Sequence, residues 1–399
     1  MGASSSPTSP KHRRVLGMAT LALDQLTKIY RSRGKPPVLA VDKVDLAAND
    51  GEIVALLGSS GCGKTSTLRM IAGFEDVTSG AIRVGDRPIH ALLPKERGVA
   101  MAFEGYALYP PLTVRDNIGF ALLRERRPRA EIAERVAAVA SLLEIEGILD
   151  RYPPTISAGQ QQRASLARAL VRRAPVSLLD EPMSQLEPQL RAILRARIKD
   201  YLIAHRMTTV FVTHDQTEAI ALADRIAVME QGVLQQYAPP IALKETPANL
   251  FVASFIGEPP MNVLDAGLAK GADGTELAVR APDGKPAVRV PLAAPMAAHV
   301  AGQARGGALK LGIRPHRVLV GDPRGHEATV VSNQWLGDQT HLALDLAGCF
   351  LVVVGNGLIR SPVGERVRVG LPLAAMHLFD AGSGRALVHG LDAREAAAA

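Results

Sequence analysis

Residues 53–72 read IVALLGSSGCGKTSTLRMIA, and the order of the parts decides the fold. The apolar run Ile53–Leu57 has the length and composition of a strand buried on both faces. Gly58-Ser59-Ser60-Gly61-Cys62-Gly63-Lys64-Thr65 follows at once and satisfies G-x-x-x-x-G-K-[ST], and Thr67–Ala72 continues as a helix. Each part has a physical task at a phosphate. The glycines let backbone N–H groups curl around the oxygens, Lys64 neutralises their charge, the helix N-terminus adds its dipole, and the Thr65 hydroxyl can ligate Mg²⁺. Ser66 extends this polar start of the helix, and Cys62 reads as a small filler whose thiol the helix N-terminus would acidify.

Working outward, residues 21–236 alternate short apolar runs with longer helical patterns, which predicts a parallel sheet covered by helices. A second strand, Val176-Ser177-Leu178-Leu179, ends in Asp180-Glu181, and a third, Val210–Val212, ends in Thr213-His214-Asp215. Ligands of open α/β sheets sit at the carboxyl ends of the strands. Asp180 is therefore a candidate for holding Mg²⁺, Glu181 for polarising an attacking water, and His214 for contacting the terminal phosphate. Glu187–Arg206 places Leu190, Ile193, Leu194, Ile198 and Leu202 at helical spacing after Pro188, a stripe read as core. Between about Phe103 and Ile156 the pattern turns helical and arginine-rich, with Ile132, Val136, Val139, Leu142 and Leu143 on one side: a helical insertion in the α/β body.

Composition bounds the partners. With 47% hydrophobic and 21% charged residues, the 399-residue chain has material for one core and a second domain. No apolar run reaches the roughly 18 residues that span a bilayer. The formal charge of +7 is spread along the chain and aromatics are only 4%, so no basic stripe with stacking residues points to nucleic acid. Two distant cysteines, Cys62 and Cys349, give neither a disulfide framework nor metal-ligand spacing and fit a reducing cytoplasm. Residues 1–17 are polar and basic without the apolar segment of a secretory signal and read as a disordered lead, with Met18 an equally good start; the closing AREAAAA reads as frayed.

Beyond Tyr237 prolines cluster, and then short β-like runs recur between Gly and Pro: Ala287–Val290, Ala308–Ile313, Ala328–Val331, Phe350–Val354 and Val367–Val369. Even spacing of such strands predicts a small barrel or sandwich.

The segment Ile156-Ser157-Ala158-Gly159-Gln160-Gln161-Gln162-Arg163, a short distance before the Asp180 strand, separates the P-loop families. It resembles the ABC-transporter signature, usually L-S-G-G-Q. Further segments, EGYALYPPLTVRDNI, THDQTEA, LADRIAVMEQGVLQQ, PANLFVASFIGEPPMN, LGIRPH and HLFDAGSGRAL, resemble the branch of importer ATPases for maltose, trehalose and glycerol-3-phosphate. The resemblance implies an α/β P-loop NTPase domain over 18–240, with a helical subdomain at about 104–167, and an OB-like all-β regulatory domain over 241–399. It further implies ATP and Mg²⁺ as cofactors and a second ATPase subunit, the same or a related chain. Ser157, Gly159 and Gln160 would then reach the nucleotide held by that subunit. Tyr30 would stack on adenine, and Glu104 would stand for the glutamine that senses the γ-phosphate and the metal. Transmembrane permeases and an extracytoplasmic solute-binding protein would complete an importer energised from the cytoplasmic face of the membrane. Related importers of polyamines, iron and sulfate share this plan.

Three positions depart from the family pattern: Glu104 for Gln, Ala158 for Gly and Glu187 for Asp. A carboxylate about 5 Å from a γ-phosphate charge would cost roughly 3 kcal/mol at an effective dielectric near 20, which a direct bond to Mg²⁺ would reverse. Ala158 is harmless at negative φ and disruptive at positive φ. Glu187 reaches one methylene further than Asp. All three lie on elements that face a partner, which motivates the expectation of pairing with a different ATPase chain.

Overall fold

The computed structural model describes residues 20–105, 107–272, 274–304 and 307–391. The expected disordered lead, the alternative start at Met18 and the frayed tail lie outside them. The chain divides between Leu234 and Gln235.

The first unit opens with β1 (Leu21–Tyr30), β2 (Val38–Ala48), β3 (Ile53–Gly58) and helix α1 (Lys64–Ala72). There follow β4 (Ser79–Val84), β5 (Arg87–Pro88), β6 (Val99–Ala102), α2 (Val114–Arg124), α3 (Arg129–Leu142) and α4 (Ala158–Leu170). The rest is β7 (Val176–Asp180), α5 (Pro188–Ala204), β8 (Thr208–Thr213), α6 (Gln216–Leu222), β9 (Arg225–Glu230) and the start of β10 (Val233–Ala238), within which the division falls. The main sheet runs β10-β9-β3-β8-β7-β6, with β3 parallel to both β8 and β9, and β7 parallel to both β6 and β8. Every residue of β3, β7 and β8 is buried, which explains their unbroken apolar text.

One expectation is corrected here. The alternation that begins at Leu21 does not all belong to the parallel sheet: β2-β1-β4-β5 form a separate antiparallel sheet. Strands β1 and β2 are joined by a short connection, which suffices for antiparallel neighbours, whereas parallel ones need a long crossover. The insertion is helical as read, with Val136, Val139 and Leu143 buried. A second correction concerns α5. Leu194, Ile198 and Leu202 are buried, but Ile193 is 49% exposed. The buried row advances by four residues, and Ile193 sits about 100° away from Leu194 on the helix surface.

The second unit contains α7 (Pro240–Glu245), α8 (Leu250–Phe255), β11 (Asn262–Lys270), β12 (Thr275–Arg280), β13 (Pro286–Pro291), α9 (Ala294–Gln303) and β14 (Ala308–Ile313). It continues with β15 (Leu319–Val320), β16 (His326–Trp335), β17 (Gln339–Leu346), β18 (Cys349–Asn356), β19 (Arg366–Gly370), β20 (Met376–Asp380) and β21 (Ala386–His389). Two sheets, β13-β12-β11-β14-β20-β21 and β15-β19-β16-β17-β18, bury their inner faces in one apolar core that includes Leu277, Leu311, Leu342, Leu351 and Leu378. Helix α9, which no alternating pattern announced, adds Met296 and Val300 to that core. The Asn262 side chain joins the sheets: its amide N–H donates to the Val352 carbonyl at 2.8 Å and its oxygen accepts from the Val352 N–H at 2.7 Å.

The burial of α5 sets a direct check. Leu194→Ala should cost about 3 kcal/mol in chemical denaturation, while Ile193→Ala should cost under about 1 kcal/mol.

Candidate active site

Strand register brings the chemistry together. Leu57 pairs with Thr213 and Asp180 with Val212, so β3, β7 and β8 end level and release the phosphate loop, Glu181 and His214 at one sheet edge. Ser59, Ser60 and Gly61 are exposed there, while Gly58, Cys62, Gly63 and Lys64 are buried, and Thr65 and Ser66 lie half-buried at the start of α1. Gly63 has φ +104°, and a Cβ on it would run into the Ala40 carbonyl oxygen, so this turn tolerates no side chain. The Lys64 ammonium donates to the Gly58 and Ser59 carbonyls at 2.7 and 2.8 Å and lies 3.6 Å from the Cys62 sulfur. It is thereby held inside the loop by two of the loop's own carbonyls.

Asp180 ends β7 at 3% exposure, and its Oδ1 is buried without a hydrogen-bond partner. Such an orphaned anionic oxygen fits a cation ligand better than a structural acceptor. Burial, with the Glu104 and Glu181 carboxylates nearby, pushes its pKa up to about 6, against the pull of Arg69 and Lys64. Glu104, exposed on the loop after β6, thus adds to the negative potential at Asp180. Glu181 lies next along the chain, and its Oε2 is 3.2 Å from His214 Nδ1.

Glu181 has φ +45°, a backbone region costly for a side-chain-bearing residue. Three bonds hold it there, one of them local, from the Ser184 N–H to the Glu181 carbonyl at 3.3 Å. Its N–H donates to the Val212 carbonyl at 3.0 Å, and its carbonyl accepts from Gln162 Nε2 at 2.8 Å. Gln162 also donates to Ser184 Oγ at 3.0 Å and accepts from the Gln185 N–H at 2.9 Å. Sequence reading missed this role of Gln162, although it stands inside the signature-like segment; only its burial on the inner face of α4 distinguishes it from Gln160 and Gln161.

Ser157 and Gln160 form a capping box at the start of α4: Ser157 Oγ accepts from the Gln160 N–H at 3.3 Å, and the Ser157 N–H donates to Gln160 Oε1 at 3.0 Å. Gly159 packs so close to the loop after β7 that a Cβ on it would stand 3.2 Å from the Gln185 carbonyl oxygen. This group stands apart from the phosphate loop, and its side-chain bonds stay within the cap. Ala158 is the first residue of the helix and is absent from the positive-φ positions, so its methyl group is accommodated without strain. Glu187 precedes α5 at the capping position but makes no capping bond, so the longer carboxylate stays in solvent.

Tyr30 reaches the same neighbourhood from β1. Its hydroxyl is 3.0 Å from Ser66 Oγ, and Lys28 Nζ lies 4.8 Å from its ring centroid. The loop carrying Glu104 is pinned from two helices. Asn117 of α2, fully buried, donates to the Tyr109, Leu112 and Thr113 carbonyls and accepts from the Tyr109 N–H at 2.7 Å. Arg168 of α4 donates to the Ala107 carbonyl at 2.7 Å and lies 5.5 Å from the Tyr109 ring centroid.

Strand order, phosphate loop and capped helix α4 define an ATP-binding cassette, an ATPase of the P-loop class. The ABC transporter family profile matches residues 41–184 and the TOBE domain profile residues 311–379. The chain is 41% identical over 378 residues to the sn-glycerol-3-phosphate import ATP-binding protein UgpC of Cereibacter sphaeroides, covering 93% of this chain and 100% of that protein. It is 40% identical over 383 residues to the xylose/arabinose import ATP-binding protein XacK of Haloferax volcanii, covering 93% and 96%. The diacetylchitobiose uptake system ATP-binding protein MsiK of Streptomyces coelicolor is 47% identical over 254 residues, covering 64% of this chain and 66% of that protein. This protein belongs to the family of ABC transporter ATP-binding proteins, in the branch whose members end in a TOBE domain. Among solved structures, the ATP-binding cassette MJ0796, a dimer in a post-hydrolysis state bound to ADP and Pi, superposes with a TM-score of 0.52 at 27% identity, covering 55% of this chain and 98% of that one.

Under the third strand end lies a carboxyl group that the sequence reading did not weigh. Glu218 of α6 is 3% exposed, accepts from the Thr213 hydroxyl at 2.8 Å, and is pushed up to about 7, chiefly by burial. A carboxyl pKa raised on folding destabilises the native state as pH climbs from the ordinary 4.5 through 7. Glu218→Gln keeps the acceptor and removes the charge. It should be more stable than the parent by about 2–3 kcal/mol at pH 8, the difference fading below pH 5, in denaturation curves at the two pH values.

Proposed function

We propose that this chain binds and hydrolyses ATP to energise import of a carbohydrate, polyol or glycerol phosphate. The observation that carries the reading is the meeting, at one sheet edge, of the phosphate loop, the orphaned Asp180 oxygen and the Glu181–His214 pair at 3.2 Å. The solute class rests on relatives named for import of sn-glycerol 3-phosphate and of xylose and arabinose, aligned over nearly the whole chain. Among the described residues no helix is long and apolar enough to cross a membrane, so permease subunits would supply the path. The ATPase would work from the cytoplasmic face, with an extracytoplasmic binding protein delivering solute.

In this reading the amides of residues 58–66 and Lys64 cradle the phosphates, and Tyr30 stacks on adenine. Thr65, Asp180 and Glu104 would hold Mg²⁺, which when bound neutralises charge developing on the transferring phosphoryl group. Glu181 takes a proton from the attacking water, and His214, in contact with it, orients that carboxylate and faces the γ-phosphate. Gln162 fixes the Glu181 backbone in its left-handed conformation. Ser157, Gly159 and Gln160 serve the nucleotide of a second ATPase subunit, where helix N-terminus and hydroxyl meet the γ-phosphate.

The second subunit is proposed to be a related chain rather than a copy. Glu104 and Glu187 both place carboxylates where the family uses an amide or a shorter acid, and Glu187 leaves its helix uncapped and its charge free to meet a basic partner group. Ala158, unstrained, no longer contributes to that argument.

Two experiments check this. Glu181→Gln, which preserves shape and strain, should lower ATP turnover by about two to four orders of magnitude in a phosphate-release assay while ATP still binds; unchanged turnover removes Glu181 from the role of base. The purified chain should show low activity alone and gain it with a partner ATPase in size-exclusion and turnover measurements. A stable, fully active homodimer would defeat the heterodimer proposal and leave the ATPase assignment standing.

A further inference from the structure

The segment LGIRPH finds no task in the nucleotide site. In the second unit it lines a cavity of 530 Å³ whose wall includes Arg314, His316, Arg317, His377, His389 and Glu245. Small-molecule sites commonly run from about 300 to 1,000 Å³.

The wall is rich in cations and proton donors. Arg314 is 3% exposed, and its N–H groups go to backbone carbonyls: Lys244 at 3.0 Å, Ala253 at 2.9 Å, and Ile256. Carbonyls satisfy its geometry without neutralising its charge, and burial pulls its pKa down to about 10. Arg317, half exposed, stands 3.6 Å from Glu245, the carboxylate on this wall. Lys244 adds a further positive charge beside His316.

The histidines register that excess. His377 Nδ1 lies 3.0 Å from His389 Nδ1, a contact that holds one proton, so one ring donates and the other accepts, and burial lowers the pKa of both rings, which favours their neutral forms. The accepting ring then carries its own proton on Nε2, and the donating ring has a bare Nε2, so the pair combines an N–H donor with an acceptor. Burial and then His389, Arg314 and Arg317 push His377 down to about 4. His316 is lowered by burial and then by Lys244, Arg317 and Arg314. An anion in the cavity would relieve the repulsion that these groups share.

We infer that this cavity is a binding site for a small phosphorylated metabolite, with the phosphoryl oxygens taken by Arg317 and the histidine pair in the field of Arg314. The planar guanidinium matches two phosphoryl oxygens at once, and a donor–acceptor imidazole pair suits a phosphoryl group that carries a proton at one oxygen. The cavity is larger than inorganic phosphate needs and leaves room for the organic part of a phosphate monoester.

The test uses the full chain with Mg²⁺ and a non-hydrolysable ATP analogue in excess, which fills the phosphate loop through its γ position. Calorimetric titration with glucose 6-phosphate, and separately with inorganic phosphate, should give saturable binding, while glucose should give none. Arg317→Glu, on a half-exposed side chain whose loss leaves the fold intact by thermal melting, should weaken binding by at least about tenfold. His389→Gln, which abolishes the ring-to-ring contact, should weaken it as well. Binding of glucose 6-phosphate more tightly than phosphate supports a metabolite, and the reverse order supports the same site with free phosphate as its ligand. Absence of saturable heat with either probe up to about 10 mM, or equal affinity in Arg317→Glu, overturns the inference; 10 mM corresponds to a binding free energy of only about 3 kcal/mol.

Discussion

Three strands buried on both faces can meet polar chemistry only where they stop. In β3, β7 and β8 the parallel register makes them stop at one level, Leu57 beside Thr213 and Asp180 beside Val212. The placing of the phosphate loop, Asp180, Glu181 and His214 depends on that alignment. A phosphate cradle, a carboxylate with an open oxygen and a histidine emerge together from positions 58, 180 and 214, far apart in the chain but adjacent at the sheet edge. The apolar strands behind them exclude water, which raises the Asp180 pKa and strengthens whatever charge pairing replaces it.

The helical insertion is tied to this edge through side chains rather than strands. Gln162, from α4, holds the Glu181 carbonyl, the Ser184 hydroxyl and the Gln185 N–H, while Arg168, six residues further along the same helix, holds the Ala107 carbonyl. One rigid helix therefore touches both the loop that carries Glu104 and the loop that carries Glu181. A displacement of α4 would be felt at both carboxylates, which gives this helix a route to its own chain's site.

Much of this was legible in the text because the residues involved are tied to short-range rules. The phosphate loop, the Asp180-Glu181 and His214 strand ends, and five of the C-terminal strands follow from apolar runs and turn chemistry within a few positions. What escaped depends on contacts over long sequence separations. Strands β1 and β2 look like any apolar-rich start until pairing places them in an antiparallel sheet. Ile193 is apolar and close to the helical row, but its direction is settled only by what α5 packs against. Gln162 and Glu218 are ordinary polar letters whose weight comes from burial at 3% exposure. The cavity around His377 and His389 unites residues that a linear reading has no reason to join.

Asn262 has a consequence for how the second unit behaves among other molecules. Strand β18 ends its sheet, and an edge strand exposes a row of unpaired N–H and C=O groups on which another chain can add a strand. At Val352 both of those groups are already engaged by the Asn262 amide, a side chain standing in for a backbone neighbour. Midway along β18 the template for such addition is interrupted from within the fold. The closure of the core thus also withholds one backbone pair from any strand that would add at this edge.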